Sequence, residues 1–443
     1  MKVGSAQINI TPEMPFFLAG SALLRVSKTV LDPLMASCMV VDNGSEIVAF
    51  ISCDLINLKD EVVEDVRSRI HKETGIKYNN IILSATHTHQ GPKTGLNMPA
   101  PWIKLDQRIV ETLVDKIVRS AVTANKNKKE ARIGYDKGCV NKCNFNRRYI
   151  MSNGRSQFAT RGFNPERLVP EGPVDNEIQV VWFEDLKGRY ITVAVNFSCH
   201  PTVLFNTEYV SADFPGSMRS VIQAVIGKDV PVLYLQGACG NLNTVDIEDE
   251  STKCQGRDGL ERIGRILGGE VLKLISQNSV SEEDYINIQV KNRIVNIPLR
   301  KISDEDIKEA EKKWGQFTDQ DKVNIKKFNE TYHTFSTIEL GRQIKINPNC
   351  PVEISVICLG DIVIVTNPVE LFVEYQLELK YHYKGKKIIV VELTNGHAGY
   401  VPTKLAFALR GYEMQRAISS KLNQEAGRII VDTSTQLINE IYT

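Results

Sequence analysis

Four of the seven histidines in this chain lie in short polar motifs able to do chemistry. His87 and His89 belong to Thr86-His87-Thr88-His89-Gln90-Gly91-Pro92, and His200 to Ser198-Cys199-His200-Pro201. His397 belongs to Asn395-Gly396-His397-Ala398-Gly399-Tyr400. Neutral imidazole is a common metal ligand and proton shuttle. His71, His333 and His382 instead stand among charged or helix-forming residues, where a solvated ring is the ordinary state. The His-x-His pair suits a metal hydrolase, with one ligand expected from it. Glu370, in Asn367-Pro368-Val369-Glu370, is either a carboxylate at a helix N-terminus or a further ligand. Two neutral imidazoles and a carboxylate, with one position left for water, suit catalytic zinc. Cys239, in Gly237-Ala238-Cys239-Gly240-Asn241, is a candidate thiol nucleophile, although small residues at a tight turn explain the segment too. No G-x-S-x-G elbow, P-loop or G-x-G-x-x-G after a strand is present, and Leu267-Gly268-Gly269 reads as close helix packing.

These motifs fall at the ends of predicted strands, where rigid scaffolds carry functional groups. Apolar spacing predicts a hairpin over 38–41 and 47–52, turned by Asp42-Asn43-Gly44. A helix over 60–73, a strand over 81–84 that ends in the His-x-His motif, and a helix over 106–124 follow. The same order recurs: a hairpin over 178–183 and 190–197 ending at His200, a helix over 216–226, a strand over 230–235 ending near Cys239, and a helix over 259–275. It recurs again: a hairpin over 352–358 and 362–366 leading to Glu370, a helix over 371–383, a strand over 387–393 leading to His397 and Tyr400, and a helix over 422–441. The expected fold is α/β, with mixed β-sheets flanked by helices, in a single large domain. Three β-β-α-β-α units are expected near 35–125, 175–276 and 350–441. A charged helical insertion over 301–345, with helices at 304–314 and 321–332, is either a solvated hairpin or a lid. Residues 131–173 carry Asn144-Phe145-Asn146-Arg147-Arg148 and a loop rich in Gly, Ser, Arg and Pro.

Composition narrows the partners. With 54 basic and 53 acidic residues the net charge is +1, so no global field attracts nucleic acid or an anionic membrane. No apolar run approaches the roughly 20 residues of a membrane helix. The opening Met-Lys-Val-Gly-Ser lacks the apolar stretch of a signal peptide, and the nine cysteines form no C-x-x-C pair. The expectation is a cytoplasmic chain with reduced thiols acting on a small molecule. A homo-oligomer is left open.

Taken in order, the motifs resemble the N-terminal catalytic domain of the neutral/alkaline non-lysosomal ceramidases. The resemblance runs from Gly4 and Asn9-Ile10-Thr11-Pro12 to about Glu413, through Ser84–Pro92, Cys199-His200-Pro201-Thr202, Ser211-Ala212-Asp213, Gly399-Tyr400-Val401-Pro402-Thr403 and Tyr412-Glu413. It implies a zinc amidohydrolase in which His87, His200, Glu370 and Tyr400 hold Zn²⁺. His89 would bind or polarise the scissile group, and Arg147 and Tyr412 would stabilise the oxyanion. Two departures stand out. The family's Gly-Asp-Val-Ser-Pro-Asn stretch reads Gly240-Asn241-Leu242-Asn243-Thr244-Val245 here, so Asn243 replaces the serine proposed as nucleophile. The expectation is also that the immunoglobulin-like C-terminal domain and the export signal of these ceramidases are missing here.

The expected function is therefore a zinc-dependent hydrolase that cleaves an N-acyl amide of a small soluble substrate, such as an N-acylated amino alcohol or amino sugar, with a metal-activated water. Asp54 or Asp213 would orient a ligand imidazole. A first alternative is a metal-dependent glycosidase drawing its acids from Asp54, Asp213 and Glu370. A second is a non-catalytic ceramidase-like binding protein.

Overall fold

Near-continuous apolar strands need cover on both faces, and the computed structural model, which describes residues 1–95, 101–103, 105–281 and 285–442, supplies it with two stacked sheets between helices. The larger sheet has eight strands: β1 (Lys2–Asn9), β2 (Met35–Asp42), β3 (Ile47–Cys53), β4 (Ile81–Ala85), β5 (Lys129–Cys139), β6 (Glu177–Asp185), β7 (Tyr190–Phe197) and β8 (Val232–Gln236). Their spatial order is β8-β7-β6-β5-β1-β2-β3-β4. The smaller sheet runs β9 (Ile288–Pro298), β10 (Asn349–Leu359), β11 (Ile362–Thr366) and β12 (Lys387–Val391) in sequence order.

Alternation along each strand distributes the two faces. In β2, Ala36, Cys38 and Val40 face α1 (Asp60–Thr74) and α2 (Gln107–Lys126), whereas Met39 and Val41 meet Ile357, Ile364 and Val391 of the smaller sheet. In β6, Ile178, Val180 and Trp182 pack under α3 (Phe214–Ile226) and α4 (Gly256–Gln277), while Val181 and Phe183 enter the layer between the sheets. The outer face of the smaller sheet, through Ile354, Val365 and Val390, packs with Tyr375 and Leu379 of α8 (Val373–His382) and with Ile430 and Leu437 near the C-terminus.

Three antiparallel hairpins, β2-β3, β6-β7 and β10-β11, are each followed by a helix and a strand that pairs in parallel with the second hairpin strand. The parallel partners are β3-β4, β7-β8 and β11-β12. The C-terminal ends of these strands are where the polar motifs emerge. Crossover helices also begin close by, and their local signals are legible. Asp213 caps α3 by accepting the Phe214 N–H, and Gly75 ends α1 at φ +77.

The segment between β9 and β10 differs from its sequence reading. Helix α5 (Asp304–Trp314) stands as expected, but the helix expected over 321–332 is broken into two helices with a 3-10 turn (Ile325–Lys327) between them. Thr318 and Asp321 form a capping box that starts α6 (Asp319–Val323), and extended Asn324 ends it. The long helix α7 (Phe328–Ile346) begins afterwards. The Trp314 ring packs edge-on against Trp102 at 5.1 Å and lies 5.5 Å from Phe335. Tyr332 of α7 donates to Ser419 Oγ at 2.9 Å, which fastens the segment beside the site.

Candidate active site

His87 follows β4 and adopts φ +68, so the His-x-His segment turns instead of continuing the strand. This brings both rings to one point, although one ligand was expected from the pair. His200 arrives from the end of β7. All three rings are fixed from behind by backbone carbonyls. His87 Nδ1 lies 2.7 Å from Ile56 O, His89 Nδ1 2.8 Å from Gly20 O, and His200 Nδ1 2.7 Å from Cys239 O. A carbonyl only accepts, so each Nδ1 carries the proton and each Nε2 presents a lone pair.

Those lone pairs converge. His87 Nε2 is 3.1 Å from His200 Nε2 and 3.4 Å from His89 Nε2. Glu370 Oε2 is 3.5 Å from His87 Nε2 and 3.4 Å from His200 Nε2, and this buried oxygen accepts no hydrogen bond. Three imidazole acceptors and a carboxylate oxygen facing one another, all buried, repel one another, and a cation among them would relieve that repulsion. The donor set therefore fits a metal ion, and His87, His89 and His200 meet the spacing for one. Burial, with the Arg147 charge behind it, lowers His200 to about 4, and burial drives His89 well below its usual value. Both rings are then neutral, the form that binds metal.

Glu370 does not cap a helix. It forms a two-residue parallel bridge, Glu370–Leu371 beside Tyr400–Val401, with Glu370 opposite Tyr400. Its other oxygen, Oε1, lies 3.1 Å from His397 Nε2. His397 stood out in the sequence as the fourth strand-end histidine but received no role there. Burial, then the Glu370 charge, raises the Tyr400 phenol well above its usual value. The Tyr400 and Tyr412 rings lie 6.1 Å apart, edge-on.

Arg147 completes the cluster. Its Nη1 lies 3.3 Å from His200 Nε2, its Nη2 donates to Gly240 O at 2.8 Å, and its Nε donates to Glu413 Oε1 at 3.0 Å. Burial works against its charge, but Tyr400 and Glu413 outweigh that and hold it protonated. Arg148 takes the other Glu413 oxygen at 2.5 Å and Glu171 at 2.6 Å, so the guanidinium is anchored through a buried ion network.

Two sequence readings are corrected here. Asp54 and Asp213 orient no imidazole. Asp54 pairs with Arg219 at 2.9 Å, and Asp213 accepts the N–H groups of Val203, Leu204 and Phe214. Backbone carbonyls take the role assigned to them. Cys239 is not an activated thiol: burial raises its pKa well above the usual value. The small residues around it serve packing, since a Cβ at Gly240 would stand 2.6 Å from the Glu370 carbonyl oxygen. Asn243 is buried, and its Oδ1 accepts the Val245 N–H at 3.1 Å.

Sequence reasoning also missed Glu392. This buried carboxyl accepts Leu371 N–H at 2.7 Å and Cys239 N–H at 3.2 Å. It thus joins the residue after Glu370 to the residue whose carbonyl holds His200. A cavity of about 240 Å³ opens onto His87, His89, Glu370, His397, Tyr400 and Tyr412. Of the three acids proposed for glycosidase chemistry, Glu370 is the one that lines it.

The family described as neutral/alkaline non-lysosomal ceramidase, N-terminal, matches residues 3–230, just over half of the chain. The chain belongs to this ceramidase family. Neutral ceramidase A of Dictyostelium discoideum is 28% identical over 181 residues, covering 39% of this chain and 24% of that protein. Neutral ceramidase of Pseudomonas aeruginosa is 29% identical over 143 residues, covering 31% and 20%. These alignments span a quarter or less of the curated ceramidases. The crystal structure of the Pseudomonas aeruginosa enzyme matches 99% of this chain and 74% of its own, with TM-score 0.76 and 18% identity. A ceramidase complexed with C2 matches at TM-score 0.73 and 15% identity, covering 99% and 75%. At such identities the structures establish a shared fold. That fold extends through Glu370, Tyr400 and Tyr412, which lie beyond the matched residues 3–230.

Proposed function

We propose that the chain is a zinc-dependent amidohydrolase that cleaves an N-acyl amide of a small soluble substrate into an acid and an amine. The observation that supports this most is the convergence of His87 Nε2, His200 Nε2 and the unpartnered Glu370 Oε2 within 3.1–3.5 Å of one another. His87, His200 and Glu370 would hold the ion, with Tyr400 beside Glu370 as the fourth ligand. A bound zinc ion would supply Lewis-acid chemistry and lower the pKa of water at the site.

The chain's own groups do the rest. The carbonyls of Ile56 and Cys239 fix the tautomers of His87 and His200. His397 occupies Glu370 Oε1, which leaves Oε2 for the ion. His89, with its Nδ1 proton on Gly20 O, turns an acceptor Nε2 into the site, where it takes a proton from the attacking water and passes it to the departing nitrogen. Arg147 is a permanent cation and Tyr412 a protonated phenol, and both donate to the oxygen that gains charge as the carbonyl becomes tetrahedral. Asn243 offers no hydroxyl nucleophile, so water attacks directly. The amide C–N bond breaks, its nitrogen gains a proton, and acid and amine depart.

The family resemblance and the retained donor set both favour this reading over a binding protein. Its test is hydrolysis of N-acetylethanolamine by the purified chain before and after dialysis against a chelator. Acetate and ethanolamine released in equal amounts, lost on dialysis and restored by zinc, is the expected result. Undiminished release by metal-free protein would refute the zinc mechanism.

A further inference from the structure

Besides the histidines and tyrosines, the cavity is lined by charged and amide groups. The start of α1 contributes Lys59, Asp60 and Glu61, the loop before the last helix Lys421, and α7 Gln343. Asp60 accepts the His397 N–H and lies within electrostatic reach of Lys421. Among the described residues, the aliphatic side chains of the lining are Ile56, Leu58 and Ile418, of which Ile56 and Leu58 are almost fully buried. An alkyl chain against such a wall would strip water from charged groups and return no hydrogen bonds. Hydroxyl groups both donate and accept, so they match a wall that mixes ammonium and amide donors with carboxylate acceptors. Size points the same way. The cavity, about 240 Å³, lies below the roughly 300–1,000 Å³ of pockets that take drug-sized ligands.

We infer that the amine half of the substrate is polyhydroxylated, and that the site takes a short-chain N-acyl amino sugar in preference to an amide of a long-chain amino alcohol. This rests on the amidohydrolase reading above. Lys421 and Gln343 are the specificity groups, and they bind the hydroxyls on the side away from the reacting carbonyl. Gln343 comes from the helical segment between β9 and β10 of the smaller sheet, so that segment is part of the binding wall.

The test measures acetate release by the zinc-loaded full chain from N-acetylglucosamine, N-acetylsphingosine and N-acetylethanolamine. The expected result is kcat/KM for the sugar above that for the sphingosine amide by about tenfold or more, a difference of about 1.4 kcal/mol. In Lys421→Met, KM for the sugar should rise by about tenfold, as expected when a polar group loses its partner. Equal or better hydrolysis of N-acetylsphingosine would overturn the inference. Hydrolysis of N-acetylethanolamine without hydrolysis of the sugar would overturn it while leaving the amidohydrolase reading intact. No acetate from any of the three would remove both.

Discussion

Arg147 shows how much one side chain is asked to do. Its planar fork reaches His200, Gly240 O and Glu413 at once, at 3.3, 2.8 and 3.0 Å. A lysine is a point donor and cannot span the three. Arg147→Lys and Arg147→Ala should therefore both lower kcat for amide hydrolysis, by about 10²–10³ as for loss of one oxyanion donor, with KM little changed. Steady-state kinetics check this, and a lysine variant with wild-type kcat would contradict it. At this scale much of the site was legible. His87, His89, His200 and Glu370 stand out because they interrupt apolar strands, while Arg147, Tyr400 and Tyr412 came through the family resemblance. The groups behind the histidines were not legible. Ile56, Gly20 and Cys239 act through carbonyls, which every residue has, so no side-chain pattern announces them.

Among the elements, the decisive feature is that β4, β7, β11 and β12 deliver their polar motifs to one place although they belong to two sheets. Glu392, at the end of β12, ties the sheets together there by accepting Leu371 N–H and Cys239 N–H. An amide has only one acceptor oxygen, so in Glu392→Gln one of those N–H groups must face a donor. Zinc affinity, measured against a competing chelator, should fall by about 10–100-fold, the usual cost of disturbing a ligand's support. Unchanged affinity with a lower melting temperature would assign Glu392 to stability alone. Strand and helix existence was readable here because β2, β3 and β6 are apolar on both faces and α1 and α2 on one. The break at Asn324 was missed because charged residues surround it and no Gly or Pro marks it. The tight turn at His87 was missed because a positive φ is rare outside glycine.

The whole molecule is a stack of helices, an eight-stranded sheet, a four-stranded sheet and further helices, with the histidines at one edge of that stack. The sequence predicted mixed sheets flanked by helices but not their division into eight and four strands. Val41 facing the other sheet and Val40 facing α2 are alike as residues, so composition cannot say which neighbour each one meets. The buried, convergent Nε2 atoms come from chain segments far apart in sequence, which the fold brings together into a donor set that fits a cation. The most direct test is metal content per chain after gel filtration, by elemental analysis, for the wild type and His200→Ala purified without chelator. The donor set predicts about one zinc per wild-type chain and its loss in the variant, with the melting curve still cooperative. Absence of metal from both proteins, or equal zinc in both, would contradict a site built on His87, His200 and Glu370.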